Sequence, residues 1–377
     1  KSVQWNLLAR LGPGAFETIS GEVVQAVLLT QTRTMTLDGA QLRGVDASSP
    51  RTATEKSALL LSGAIVSVSQ AGQLANPDAR VALETASSSA LLEAYATGLQ
   101  GVSTSDNPRF RFCFWELTSF SDGWHWFQGG VESSQHFGGS ESVVWLGKLI
   151  ELYEEARDAT YGENEFQERR AASNASGVYL RGQAAWSQKG VAVRQMSELP
   201  VCLTQGSPFD TNTAVVLPRK EENLPAIWCF CSSPEYKQLV RRIDQKLNVT
   251  NATLVKVPFD LAHWQQVAAE RYPHGLPKPY SDDPTQWLFH GHPQPATDPL
   301  QVAVARLAGY RWPAETDAAM ELADEARSWI ACCKKLAEHT DDDGIVCLPS
   351  VRGEAPAHDR LLKLLIAAWE TVQPGSW

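Results

Sequence analysis

The sequence predicts an α/β protein in three parts: a strand pair at the edge of a covered sheet, a mixed α+β middle and a helical C-terminal part. Three observations predict it. A nearly unbroken apolar, β-branched run, Val23–Thr30, follows a glycine-proline break. Glycines and aromatics crowd residues 97–220, where apolar runs are short. Residues 300–370 read as mostly helical. At 377 residues the chain has room for two or three domains of roughly 100–200 residues each.

The elements follow in order. Trp5–Leu11 is an apolar strand that ends at Gly12-Pro13-Gly14, a tight loop. Val23–Thr30 is a second strand whose continuous apolar character suits a strand covered on both faces. Thr34–Arg51 is polar and predicts a surface loop. Helical character returns at Ala53–Gly63, and Ile65–Ser69 predicts a short strand. Ala75-Asn76-Pro77-Asp78 is a turn, and Leu91–Tyr95 a short helix. Strands joined by loops are expected over 97–220. One helix interrupts them near Ser142–Thr160, where Leu146, Leu149, Ile150 and Tyr153 share a face. Pro234–Leu247 predicts a helix, Ala252–Val257 a strand, and Pro258-Phe259-Asp260 opens a helix to about Arg271. The proline-rich stretch 272–300 is a linker or long loop, and Asp359–Thr371 is the last helix.

Composition narrows the function. With 43% hydrophobic and 20% charged residues the chain has the makings of a packed core. No apolar stretch is long enough for a membrane span, and the first residues lack the apolar core of a signal peptide, so a cytoplasmic location is expected. The chain opens almost directly into a strand, as a fragment of a longer protein would. The seven cysteines are scattered and read as free thiols. His290-Gly291-His292 lacks metal-ligand spacing, and no metal is expected. A net charge of −10 opposes simple nucleic-acid binding, because phosphate neutralisation supplies most of that affinity. Any nucleic-acid surface must therefore be local.

Two segments carry the chemistry. In the first, strand, Gly12-Pro13-Gly14 loop, Phe16, polar turn and apolar strand follow one another. In the second, Gly101-Val102-Ser103-Thr104-Ser105-Asp106-Asn107-Pro108-Arg109-Phe110 is a polar turn followed by an arginine between aromatics. Together they resemble the large adenine-N6 DNA methyltransferases of phage-defence systems (DISARM, BREX) and of Type IIL restriction–modification enzymes. Ala71–Arg80, Trp126-Phe127-Gln128-Gly129-Gly130 and Phe137-Gly138-Gly139 extend the resemblance, as do Pro208–Thr213, Leu300–Pro313 and Pro349–Glu354. Two departures stand out: Ser105 replaces the family's usual glycine, and Pro108 is inserted.

The resemblance implies that the hairpin is the edge of a Rossmann-like methyltransferase sheet. It implies residues 1–90 as the end of the catalytic domain, 91–275 as the target-recognition region and 276–377 as linker and helical end. It implies that Phe16 stacks on an adenine rotated out of the duplex, since a base leaving the stack needs a protein face in its place. Thr104, Ser105, Asp106, Asn107, Arg109, Arg111, Arg181, Lys189 and Asn212 are the implied DNA-binding residues. Of these, Arg109, Arg111, Arg181 and Lys189 would border a basic groove. The implied cofactor is S-adenosylmethionine. Its glycine-rich loop and the Asn-Pro-Pro-aromatic loop are absent from this sequence, so the chain alone is expected to be inactive. Partners would be duplex DNA, a preceding methyltransferase half and other defence proteins. A stand-alone, non-catalytic DNA-recognition subunit fits the same loops. A carbohydrate-binding β-protein is suggested by the 13 tryptophans and the acidic charge.

Overall fold

A computed structural model describes residues 3–16, 26–35, 39–76, 81–83, 90–117, 123–244, 246–281 and 291–375. Glu17–Gln25, Pro77–Arg80 and His290, all used above, lie outside the described residues. The chain is mixed α/β with three small sheets among the described residues, and it divides into two compact units. No described helix is long and apolar enough to cross a membrane.

The first unit comprises Lys1–Ala96, Gln195–Glu198 and Ser233–Leu261. Its sheet contains β1 (Gln4–Gly12), β2 (Ala26–Thr32), β3 (Gln41–Asp46) and β4 (Val66–Ser69), in the order β2-β1-β3-β4. β1 and β2 form the expected antiparallel hairpin, with Leu8 opposite Leu29. β3 corrects the sequence reading, which made this region a loop. Polar Gln41, Arg43 and Asp46 alternate with buried Leu42 and Gly44, and β3 pairs parallel to β1. β2 is a second correction. It is an edge strand, not a covered one: Val27 is 55% and Leu28 57% exposed, although neighbouring side chains point to opposite faces. Between β3 and β4 lies α1 (Ala53–Ser62), opened by a capping box between Thr52 and Glu55. Farther along, residues read as the strand Ala252–Val257 instead begin with a helical turn, Asn251–Leu254. A short apolar run does not distinguish the two by pattern, and here Tyr236 Oη donates to the Leu254 carbonyl and fixes the turn.

The second unit comprises Thr97–Arg194, Leu199–Ser232 and Ala262–Trp377. One sheet contains β5 (Ala96–Gln100), β9 (Gly190–Arg194), β10 (Val201–Thr204) and β11 (Thr213–Pro218), ordered β10-β9-β11-β5. The other contains β6 (Arg111–Cys113), β7 (Trp124–Phe127) and β8 (Ser142–Trp145), ordered β6-β8-β7. The helix expected at 142–160 therefore starts late, as α2 (Leu146–Asp158), because Ser142–Trp145 is the central strand of this sheet. A further helix, α3 (Glu165–Ser176), was not anticipated; Asn164 caps it and its polar composition hides it. The apolar stretch near 226–231 is α4 (Leu224–Cys231), almost wholly buried.

β8 divides the core of this unit. Val143 packs with Phe114, Trp312 and Ile330, while Val144 packs with Phe110, Phe127 and Leu149 on the opposite face. Burying each such side chain contributes roughly 1.5–3 kcal/mol. In the first of these cores sits an ion pair. Arg306, fully buried, is held by Glu315 through two bonds of 2.6 and 3.3 Å, donates to the Gly291 carbonyl and stacks on Trp312. Elsewhere, Trp228 Nε1 donates to Tyr272 Oη, which lies 2.9 Å from His136 Nε2. The indole has no acceptor, so the phenol proton is available to a neutral His136. Burial, aided by the charge of Arg271, pushes the His136 pKa down.

Two predictions follow from this packing. Glu315→Ala strands a buried guanidinium and lowers unfolding free energy by about 3–5 kcal/mol, measured by urea denaturation. A histidine held neutral in the fold contributes stability above its unfolded pKa of about 6.5 and loses it as pH falls below that value. Wild-type stability therefore drops more steeply from pH 7 to 5.5 than that of His136→Asn; equal slopes refute the coupling.

Candidate nucleic-acid interface

The first unit presents the carboxyl ends of β1 and β3 side by side. Arg10 and Asp46 are register partners and form an ion pair at 3.6 Å. The chain leaves β1 through Gly12 and Gly14, both in the left-handed region. A Cβ on Gly14 would lie 2.4 Å from the Arg51 carbonyl oxygen, so the close approach requires glycine. Lys56, in the first turn of α1, is 2% exposed. Its ammonium donates to the Leu11, Ala47 and Ser48 carbonyls at 2.7, 3.1 and 3.4 Å, closing the ends of both strands. Burial pushes its pKa down, and Asp46 and Glu55 oppose that shift. Phe16 follows this clamp and is 52% exposed. Its ring is therefore not enclosed in the hydrophobic interior.

The second unit gathers the polar turn. Thr104 is buried; its hydroxyl donates to Asn107 Oδ1 at 2.7 Å and accepts from the Asp106 amide at 3.3 Å. Ser105 has φ 54°, and its hydroxyl bonds to the Gly177 carbonyl. A left-handed backbone of this kind ordinarily favours glycine. Asp106, Asn107 and Arg109 are exposed, and Arg109 lies over its neighbour's ring, Phe110, at 4.9 Å. Ser103 pairs through both backbone groups with Tyr179, which brings Arg181 beside the turn. Arg181 is exposed and stacks on Tyr179 at 4.7 Å. It donates to Gln100 Oε1 at 3.1 Å, and Gln100 Nε2 reaches Thr211 Oγ1 at 3.5 Å. Asn212, next along, is exposed.

Thus Gln100, Arg181 and Thr211 are joined across up to 111 positions, and the Thr104–Arg109 turn is tied to the same segment through Ser103 and Tyr179. Two expected members do not join them as free cations. Arg111 turns inward: it pairs with Asp210 at 3.1 Å and donates to Ser142 Oγ at 3.0 Å. Lys189 pairs with Glu321 at 2.9 Å. Arg111 and Lys189 thus already hold a carboxylate, whereas Arg109 and Arg181 have no carboxylate partner among the described residues. Gln100, Tyr179 and Asp210 were missed. Gln100 directly precedes the quoted turn, but nothing local marks Tyr179; the long-range pairing alone brings it there.

Asp210 does two jobs. Its second oxygen accepts the Asn212 amide at 2.7 Å, so the carboxylate that holds Arg111 also shapes the turn carrying Thr211 and Asn212. Around it the backbone is laced on both sides: Val102 N donates to Phe209 O, and Asp210 N to Gln128 O.

No family model matches the sequence, and no curated protein matches it. Among solved structures, the chain is similar to the Type IIL restriction-modification enzyme MmeI in complex with DNA, at a TM-score of 0.34 and 10% identity. The alignment covers 98% of this chain and 46% of that one, so this chain spans about half the length of that enzyme.

Asp210→Ala leaves Arg111 without its anion and releases the Asn212 turn. It is expected to cost on the order of 3 kcal/mol in urea denaturation. A loss below about 1 kcal/mol refutes the bracing role.

Proposed function

We propose that this chain is the target-recognition part of a site-specific DNA adenine-N6 methyltransferase in a restriction–modification or related phage-defence system. The observation that carries the proposal is that the strand entering the Thr104–Arg109 turn is bonded to Tyr179, two residues before Arg181, and to Phe209 and Asp210, just before Asn212. The turn, Arg181 and Asn212 carry side-chain types that contact phosphates and base edges, and the turn is the segment whose sequence resembles the family. Local placement reconciles the proposal with a net charge of −10, since two open arginines suffice for a local contact.

Phe16 is proposed to stack on the extruded adenine. Its exposure, just past the ends of two parallel strands, supports this role, because ligands of open α/β sheets bind beyond the carboxyl ends of the strands. S-adenosylmethionine and the catalytic Asn-Pro-Pro loop would be supplied by a preceding methyltransferase half. The apolar, exposed β2 supports such a partner. A carbohydrate platform has less support: Trp124 and Trp145 stack on each other, 5.7 Å apart and 12° from parallel, and so cover each other's faces.

The test is duplex binding as a function of salt. The chain should bind with an affinity that falls measurably as salt rises from about 50 to 200 mM, as phosphate contacts require. With labelled S-adenosylmethionine it should transfer no methyl group. Salt-independent binding, or none, refutes DNA recognition; robust methylation refutes the missing-half assignment.

A further inference from the structure

We propose that Arg181 is a guanine-reading side chain and that Tyr179 and Gln100 hold it ready to read. The inference rests on the DNA-recognition reading above and deepens it to one residue and one base.

An exposed arginine ordinarily samples many rotamers, and ordering it on binding is costly. Arg181 is exposed yet already ordered from two sides. Its guanidinium carbon lies over the Tyr179 ring, 4.7 Å from the centroid, which restrains where the fork sits. Its Nη1 donates to Gln100 Oε1 at 3.1 Å, which restrains how the fork turns. Both braces are themselves fixed. Tyr179 is tied to Ser103 by two backbone bonds, and its hydroxyl donates to Asn174 Oδ1 at 3.0 Å. Gln100 ends β5 and leans on Thr211.

What remains free is the chemistry of the fork. A guanidinium has five N–H donors, and one is used by Gln100. Two parallel donors match the O6 and N7 acceptors of guanine in the major groove. Adenine offers an amino donor in place of O6 and would oppose the fork. A neutral brace is also telling. A carboxylate would neutralise the arginine, as Asp210 does Arg111 and Glu321 does Lys189. The Gln100 amide orients the guanidinium and leaves its charge available. Arg109, by contrast, lies over the ring of its own neighbour and has no ion pair or side-chain hydrogen bond among the described residues, an arrangement suited to a phosphate.

The experiment selects bound sites from a randomised duplex pool, using the wild-type chain, Arg181→Lys, Arg181→Gln and Gln100→Leu. The wild type should enrich sites with an invariant guanine at one position. Arg181→Lys keeps the charge but loses the fork, so preference for that guanine should fall about 5- to 100-fold while the salt slope stays unchanged. Arg181→Gln should lose the guanine or exchange it for adenine. Gln100→Leu should weaken the same preference and no other position. An unchanged site in both Arg181 variants overturns the assignment. So does a uniform loss across sequences with a shallower salt slope, which marks a phosphate contact. A wild-type chain that enriches no sequence overturns the assignment together with the DNA reading; a salt-dependent chain without the guanine overturns the assignment alone.

Discussion

The pairing of Arg111 with Asp210 is the constraint on which the second unit's proposed interface depends. Arg111 belongs to β6 in one sheet; Asp210 stands just before β11 in the other. Their bond joins two sheets that share no strand. Because Asp210 is buried, its charge tolerates no vacancy opposite it. The Thr104–Arg109 turn and the Asn212 turn both hang from backbone segments that meet at this pair. Surface loops hold geometry poorly by themselves, so a buried anchor beneath them sets where their side chains project.

This arrangement answers the puzzle of charge. A protein with ten excess negative charges would repel a phosphate backbone if its charges were spread evenly. Here many basic groups are occupied: Arg111 and Lys189 by carboxylates, Arg306 by Glu315, Lys56 by carbonyls. Arg109 and Arg181 stand apart from that pattern. A cation without a carboxylate partner keeps its charge for an incoming anion, and on the proposed reading these two arginines supply it beside the turn.

Much of the fold was legible where pattern is strong. The β1–β2 hairpin, α1, β4 and the helices after residue 300 follow from apolar spacing and from breakers such as Gly12-Pro13-Gly14. Legibility failed where an element owes its existence to partners far away. β3 looks polar because Gln41, Arg43 and Asp46 are its exposed residues, and parallel pairing with β1 together with antiparallel pairing with β4 makes it a strand. β2 misled in the other direction: its apolar run reads as interior, whereas its place at the sheet edge leaves it open. For the interface, the Thr104–Arg109 turn was readable from its own residues. The occupation of Arg111 and Lys189 was not, since Asp210 lies 99 residues and Glu321 132 residues away.

Gly101 shows how such an architecture can change over evolutionary time. A Cβ there would stand 2.3 Å from the carbonyl oxygens of both Phe209 and Asp210. The seam admits no side chain at that point, and drift at this position is closed off by sterics. The tips beyond it carry no such restriction: Asp106, Arg109 and Asn212 end in solvent. Innovation is thereby separated from folding. Residues at the rim are free to be exchanged for others of different chemistry while the seam beneath them stays the same.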